Sequence, residues 1–237
     1  LGKQPEDVLS WEAGSGAPTY VQLERLAYEG YKRPIALFFL PEPPQEQRPQ
    51  SEFRTLPAFD LNSLDSDTYL HIRKAHAYQM ALAELFEGRN PADKRIWKVC
   101  PLTLRHSPVN AAVEIRRHLG VSVEQQAQWG DDSAALEQWR QAIERVGIFV
   151  FKNSFKQKEI SGFCLRSDDF PLIYLNNSTT KTRHTFSLLH ELAHLLFNIN
   201  GLSKFDRSYI DHRPQHDRKV EVFCNAVASE VLIPSSD

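Results

Sequence analysis

HTFSLLHELAHLLF, residues His184 to Phe197, is the stretch from which the rest of the chain can be read. Leu188, Leu189, Leu192, Ala193, Leu195, Leu196 and Phe197 recur at helical spacing, which predicts a largely buried helix. His190 and His194 stand four residues apart, so both imidazoles fall on one face, one turn apart, and can point at a single metal ion. Glu191 is rotated from His190 by about 100°, which puts it beside such an ion rather than on it. Zinc in a catalytic site takes three protein ligands and keeps one position open. The five-residue pattern H-E-x-x-H supplies only two, and such a pattern also arises by chance in helices.

The third ligand must come from elsewhere. In the H-E-x-x-H-x-x-G-x-x-H arrangement the glycine place here is Phe197 and the last histidine place is Asn200, so that solution fails. A later segment, VEVFCNAVASEVLIP from Val220 to Pro234, offers Glu221, 27 residues past His194. Gly201 and the polar run from Ser203 to Asp217 supply a turn between the two helices. Glu221, Cys224, Asn225 and Ala228 share one face of the second helix by their spacing. His212, His216, Asp217 and Cys224 are rival ligands. Cys224 reads better as a small buried residue next to the site, and Glu221 ranks ahead of each rival.

Working outward, the period changes before the motif helix. Ile148–Phe151, Ile160–Leu165 and Pro171–Asn176 are short apolar runs broken by polar turns, and predict a sheet of about three strands. Further upstream the pattern is helical. Asp65 caps a helix to about Phe86, Ser107-Pro108 opens one that closes at Gly120, and another runs from Asp132 to Val146. Near the start, Pro5 with Glu6 and Asp7 opens a short helix, and Pro18-Thr19 opens a second. No apolar residue lies between Pro44 and Phe53, so that proline- and glutamine-rich stretch reads as a linker. The expected fold class is α+β, mainly helical, with these divisions: a helical segment over 1–44, a linker over 45–64 and a domain over 65–237. The domain has a helical part, 65–147, and a sheet-and-motif core, 148–237.

Composition narrows the class. Hydrophobic residues make up 41% and charged residues 24% of 237 residues, as in an ordinary globular domain. A formal net charge of −2 gives no global basic field for nucleic acid. No apolar run reaches the roughly 20 residues of a membrane span. Three scattered cysteines, Cys100, Cys164 and Cys224, with no C-x-x-C pair, point to reduced thiols and a cytoplasmic protein. The first residue is Leu1 and the only methionine is Met80, so the chain reads as part of a longer protein.

RHTFSLLHELAHLLF followed by EVFCNAVASEVLIP resembles the ImmA/IrrE family of zinc metallopeptidases, as do the preceding strands in ISGFCLRSDDFPLIYLN. The resemblance covers roughly Val146 to Pro234. It implies a zincin-like peptidase domain with zinc on His190, His194 and Glu221 and with Glu191 as catalytic base. Val227 departs from the phenylalanine common at that place, which is a packing change. Separately, VLSWEAGSGAPTYVQLERLA resembles the second half of an XRE-type helix-turn-helix domain, with Gln4 to Trp11 as its recognition helix. The first two helices of such a domain have no counterpart here. Lys3, Arg25, Lys32 and Arg33 are offset by Glu6, Asp7, Glu12, Glu24 and Glu29, so this piece alone is expected to bind DNA poorly, and no DNA-contacting residue can be named.

The expectation is therefore a zinc-dependent endopeptidase acting on a protein, with an XRE-type repressor as the substrate the resemblance implies. DNA contact is expected only through a full-length N-terminal domain, and no membrane partner is expected. Tyr209, His212 and His216 are candidate oxyanion stabilisers. An extended substrate is expected to pair with a sheet edge such as Pro171–Asn176. The alternative is a DNA- or protein-binding regulator, toxin–antitoxin-like, whose zinc is structural or sensory. The retained Glu191 weighs against it, because a structural site needs no base beside the metal.

Overall fold

Local signals set most helix starts. Asp65 accepts from the Thr68 backbone N–H at 2.7 Å and opens the helix Ser66–Leu85, while Asp131 accepts from Ser133 and Ala134 at 2.8 Å and opens the helix Asp132–Arg145. Gly120 closes the helix Pro108–Leu119 in the left-handed conformation, with φ 66°. The computed structural model describes residues 2–44, 64–178, 180–204 and 215–235. The linker expected over 45–64 lies outside them save for Leu64, and Tyr209 and His212 lie wholly outside.

In chain order the elements are α1 (Pro5–Glu12), α2 (Tyr20–Arg25, continued by a π turn at Leu26–Gly30) and a 3-10 turn at Ile35–Phe39. Then come α3 (Ser66–Leu85), α4 (Ile96–Val99), α5 (Pro108–Leu119), α6 (Val123–Ala127) and α7 (Asp132–Arg145). The core follows: β1 (Phe149–Asn153), β2 (Ile160–Leu165), β3 (Leu172–Asn176), α8 (Lys181–Leu196), β4 (Gly201–Lys204) and α9 (Gln215–Leu232). The fold is α+β and mainly helical.

The sheet has four strands where three were expected, in the order β1-β3-β2-β4. β1 runs parallel to β3, and β2 is antiparallel to both β3 and β4. β3 therefore has a neighbour on each side and cannot take an added strand, which corrects the expectation that Pro171–Asn176 offers a substrate edge. Every residue of β3 is buried. Ile173 and Leu175 join Val150 and Cys164 in a core with α5, α7, α8 and α9. Leu172 and Tyr174 join Phe163 and Leu202 in a second core under Ile72 and Ala75 of α3. Between Ile160 and Gly162 the register against β4 shifts, leaving Ser161 as an extra residue. This bulge turns Ile160 onto the α3 side while Gly162 and Cys164 face α8.

Asn176 ends β3 and ties three segments together. Its amide donates to the Ile160 carbonyl at 2.7 Å, and its Oδ1 accepts from the Phe155 and Ser178 backbone N–H groups, each at 3.1 Å. In residues 2–44 only Ala27 is buried, and Leu9, Tyr20, Val21, Tyr28, Phe39 and Leu40 are exposed. Arg73 of α3 donates to the Lys32 carbonyl at 2.8 Å, which links this piece to the rest.

Candidate metal centre

Helix α8 lies against the sheet on one side and α7 and α9 on the other. Twelve of its 16 residues are buried, so its side chains are held by packing on nearly every face. His190 and His194 come from this helix, and Glu221 comes from the first turns of α9.

The three converge. The Nε2 atoms of His190 and His194 are 2.9 Å apart. Glu221 brings Oε2 to 3.4 Å from His190 Nε2 and Oε1 to 3.3 Å from His194 Nε2. One ligand atom from each residue lies within 4.8 Å of the others, and all three residues are buried. Two imidazole nitrogens and a carboxylate brought this close share more lone pairs than one proton satisfies, and a divalent cation meets that demand. Two nitrogens and an oxygen donor suit zinc, and three protein ligands leave a fourth position free. Of the rival ligands, His216 is exposed on the first turn of α9, and neither Asp217 nor Cys224 belongs to the cluster.

The electrostatics follow from burial and proximity. Burial alone would raise the Glu221 carboxyl, but His194 and His190 beside it hold it well below the usual carboxylate range. Burial disfavours a charged His194, yet its acidic neighbours push it well above the ordinary imidazole value. Burial also keeps the Cys224 thiol protonated, so the carboxylate of Glu221 is what favours charge on His194. The Nδ1 atoms of both histidines are buried and make no hydrogen bond among the described residues. Ring orientation therefore rests on packing, as where Phe186 lies 6.2 Å from the His190 ring centroid.

Glu191 is fully buried. Its Oε1 accepts a hydrogen bond from the Ser203 hydroxyl of β4. Its Oε2 accepts none among the described residues. Gly201 packs directly against it: a Cβ at that position would lie 2.7 Å from Glu191 Oε2 and 2.8 Å from the His194 ring. The chain reaches β4 by a short turn. Asn198 adopts the left-handed conformation, with φ 60°, and the Ile199 N–H donates to the His194 carbonyl at 3.2 Å. Leu102 N–H caps the Leu196 carbonyl at 2.8 Å, so the buried helix end is satisfied.

Residues 143–237 match the family model of the IrrE N-terminal-like domain of peptidase family M78. No curated protein and no solved structure matches the chain. The region matching the IrrE N-terminal-like domain starts inside α7 and contains the whole sheet, α8 and α9, and with them every residue of the cluster. Gly201, Ser203 and Cys164 belong to this region; in the sequence Gly201 and the run from Ser203 read as a turn and Cys164 as a scattered thiol, and the small-apolar-small alternation of Gly201-Leu202-Ser203 is the one signal of their place beside Glu191.

Proposed function

We propose that the chain is a zinc-dependent endopeptidase that acts on a protein, with an XRE-type transcriptional repressor as the proposed substrate. The observation that carries this reading is the convergence of His190, His194 and Glu221 next to a buried Glu191 whose Oε2 accepts no hydrogen bond among the described residues. His190, His194 and Glu221 would hold the zinc, which when bound would supply Lewis acidity toward a peptide carbonyl and a water.

The chain's own groups do the rest. Glu191 accepts a proton at Oε2 and hands it to the departing amine. Ser203 keeps Oε1 occupied, so the two oxygens are not equivalent. Among the described residues β4 is the outermost strand next to the site, and a substrate backbone can pair along it. Burial of α8 excludes bulk water, which strengthens each electrostatic contact. His216 is exposed, and its role as an oxyanion donor is part of the proposal rather than of the observed cluster.

The test is incubation of the zinc-loaded protein with purified XRE-type repressors encoded nearby. Cleavage is expected, and Glu191→Gln should abolish it by about 10²- to 10⁴-fold while keeping one zinc per chain. Equal activity in the loaded Glu191→Gln variant sinks the mechanism. Full regulatory function in that variant, with unfolding on chelation, would instead support a structural or sensory metal in a DNA- or protein-binding regulator.

A further inference from the structure

The geometry points to Ser203 as a positioning residue that fixes the orientation of the Glu191 carboxylate; this rests on the reading of Glu191 as the base. A glutamate has three side-chain torsions, and the last is broad, so burial alone leaves its two oxygens free to exchange places. Here the Ser203 hydroxyl separates them, with the Cys164 thiol as the carboxylate's other polar neighbour. Ser203 donates to Oε1, and Oε2 is left as the oxygen able to receive a proton.

Ser203 is itself held from three directions. It is buried, with 5% exposure, and stands opposite Gly162 in the β2–β4 pairing. The hydroxyl of Ser161, the bulge residue, donates to the Ser203 carbonyl at 3.1 Å. Gly201, two residues back on the same face, lets β4 approach so closely that a side chain there would strike Glu191 and His194. The bulge sets the register, the register aims the hydroxyl, and the hydroxyl sets the base. None of these groups belongs to the ligand cluster.

The test compares Ser203→Ala, Ser203→Thr and Glu191→Gln, zinc-loaded, on a mixture of internally quenched peptides. Metal affinity is read separately by chelator competition, and the Co²⁺ absorption spectrum is recorded. Ser203→Ala should lower kcat by roughly 10- to 100-fold, with KM and metal affinity within about threefold of wild type and an unchanged Co²⁺ spectrum. Threonine keeps the hydroxyl and should restore most of kcat. In the Glu191→Gln background, Ser203→Ala should cost nothing further. Wild-type kcat in Ser203→Ala, or a loss traced to weaker metal binding, overturns the inference. If even wild type cleaves no peptide, the peptidase reading falls separately. The pairing is then judged by a double-mutant cycle on thermal stability, where additive effects of Ser203→Ala and Glu191→Gln overturn it.

Discussion

Arg116 of α5 donates to the Val231 carbonyl of α9 at 2.6 Å, which joins two helices 115 residues apart in sequence. The last carbonyls of a helix have no partner within it. Arg116 also donates to Gln126 Oε1 at 2.7 Å, and Gln126 in turn donates to the Leu232 carbonyl at 2.9 Å. The end of the helix that carries Glu221 is thus closed by side chains from α5 and α6. Arg116→Met keeps the bulk and leaves the Val231 carbonyl without this donor. It should cost about 1.5–3 kcal/mol in denaturant unfolding; an unchanged midpoint would mean another donor takes over.

Metal should act as a stabilising ligand. If zinc binds the folded site and not the unfolded chain, the melting temperature of wild type should rise with free zinc. The gain should be about 2.7 kcal/mol at a hundredfold excess over Kd. In Glu221→Ala only the two imidazoles remain, and the same titration should give little or no shift. Calorimetry with and without zinc reads both proteins, and an equal shift in the variant would remove Glu221 from the ligand set.

Gly201→Ala places a methyl group 2.7 Å from Glu191 Oε2 and 2.8 Å from the His194 ring, both in packed surroundings. β4 must then move away from α8, taking Ser203 with it. Overpacking of this kind should cost about 1–3 kcal/mol, and the disturbed histidine should weaken zinc binding by about 10- to 100-fold. Chelator competition measures the second effect, and wild-type affinity would show that the strand yields without disturbing the ligands.

Below about pH 6.5 stability should decline on acidification, whereas above it the raised His194 acts in the opposite sense. Burial, the largest influence, holds His71 and His184 below the ordinary imidazole value of 6.5, although Asp67 opposes it at His71. Because the folded values are lowered, the unfolded chain binds protons first as the pH falls. The contribution is therefore complete above 6.5 and is lost below it, with a slope of up to about 1.4 kcal/mol per pH unit per histidine. His71 sits 3.3 Å from the Tyr174 hydroxyl and 3.6 Å from Asp67 Oδ2. His71→Gln should flatten the slope. Denaturant midpoints from about pH 7.5 to about 5 measure it, and an unaltered slope would assign the effect elsewhere.

The parts of this molecule that could be read from sequence are those with a strong local period or cap. Strand β2 runs from Ile160 to Leu165 as its apolar run indicated, and α8 and α9 lie within two residues of the helices that the sequence pattern predicts over 182–198 and about 217–232. The i, i+4 histidines needed only helix geometry. Glu221 needed a second helix folded back on the first, and its spacing was enough to suggest it. Strand β4 was missed because four residues give too little alternation to outweigh the glycine and the polar run after it; its identity comes from pairing with β2, a tertiary fact. The hydroxyl of Ser203 depends further on a bulge at Ser161, which leaves no mark in the sequence. The interior place of β3 was equally hidden, since strand order is set by partners and not by the strand itself.

The left-handed Asn198 also says where this chain tolerates no change of length. Most surface connections accept an added residue at little cost. The segment from Phe197 to Asn200 does not have that freedom, because the strand it feeds presents alternate residues to α8. One inserted residue turns Gly201 and Ser203 outward and brings Leu202 to the place of Ser203 beside Glu191. Leucine has no hydroxyl to offer, and its bulk would press on the buried carboxylate. Homologous chains that keep both Glu191 and Ser203 should therefore vary in the length of the connections around α3 and α6, and keep this four-residue turn fixed.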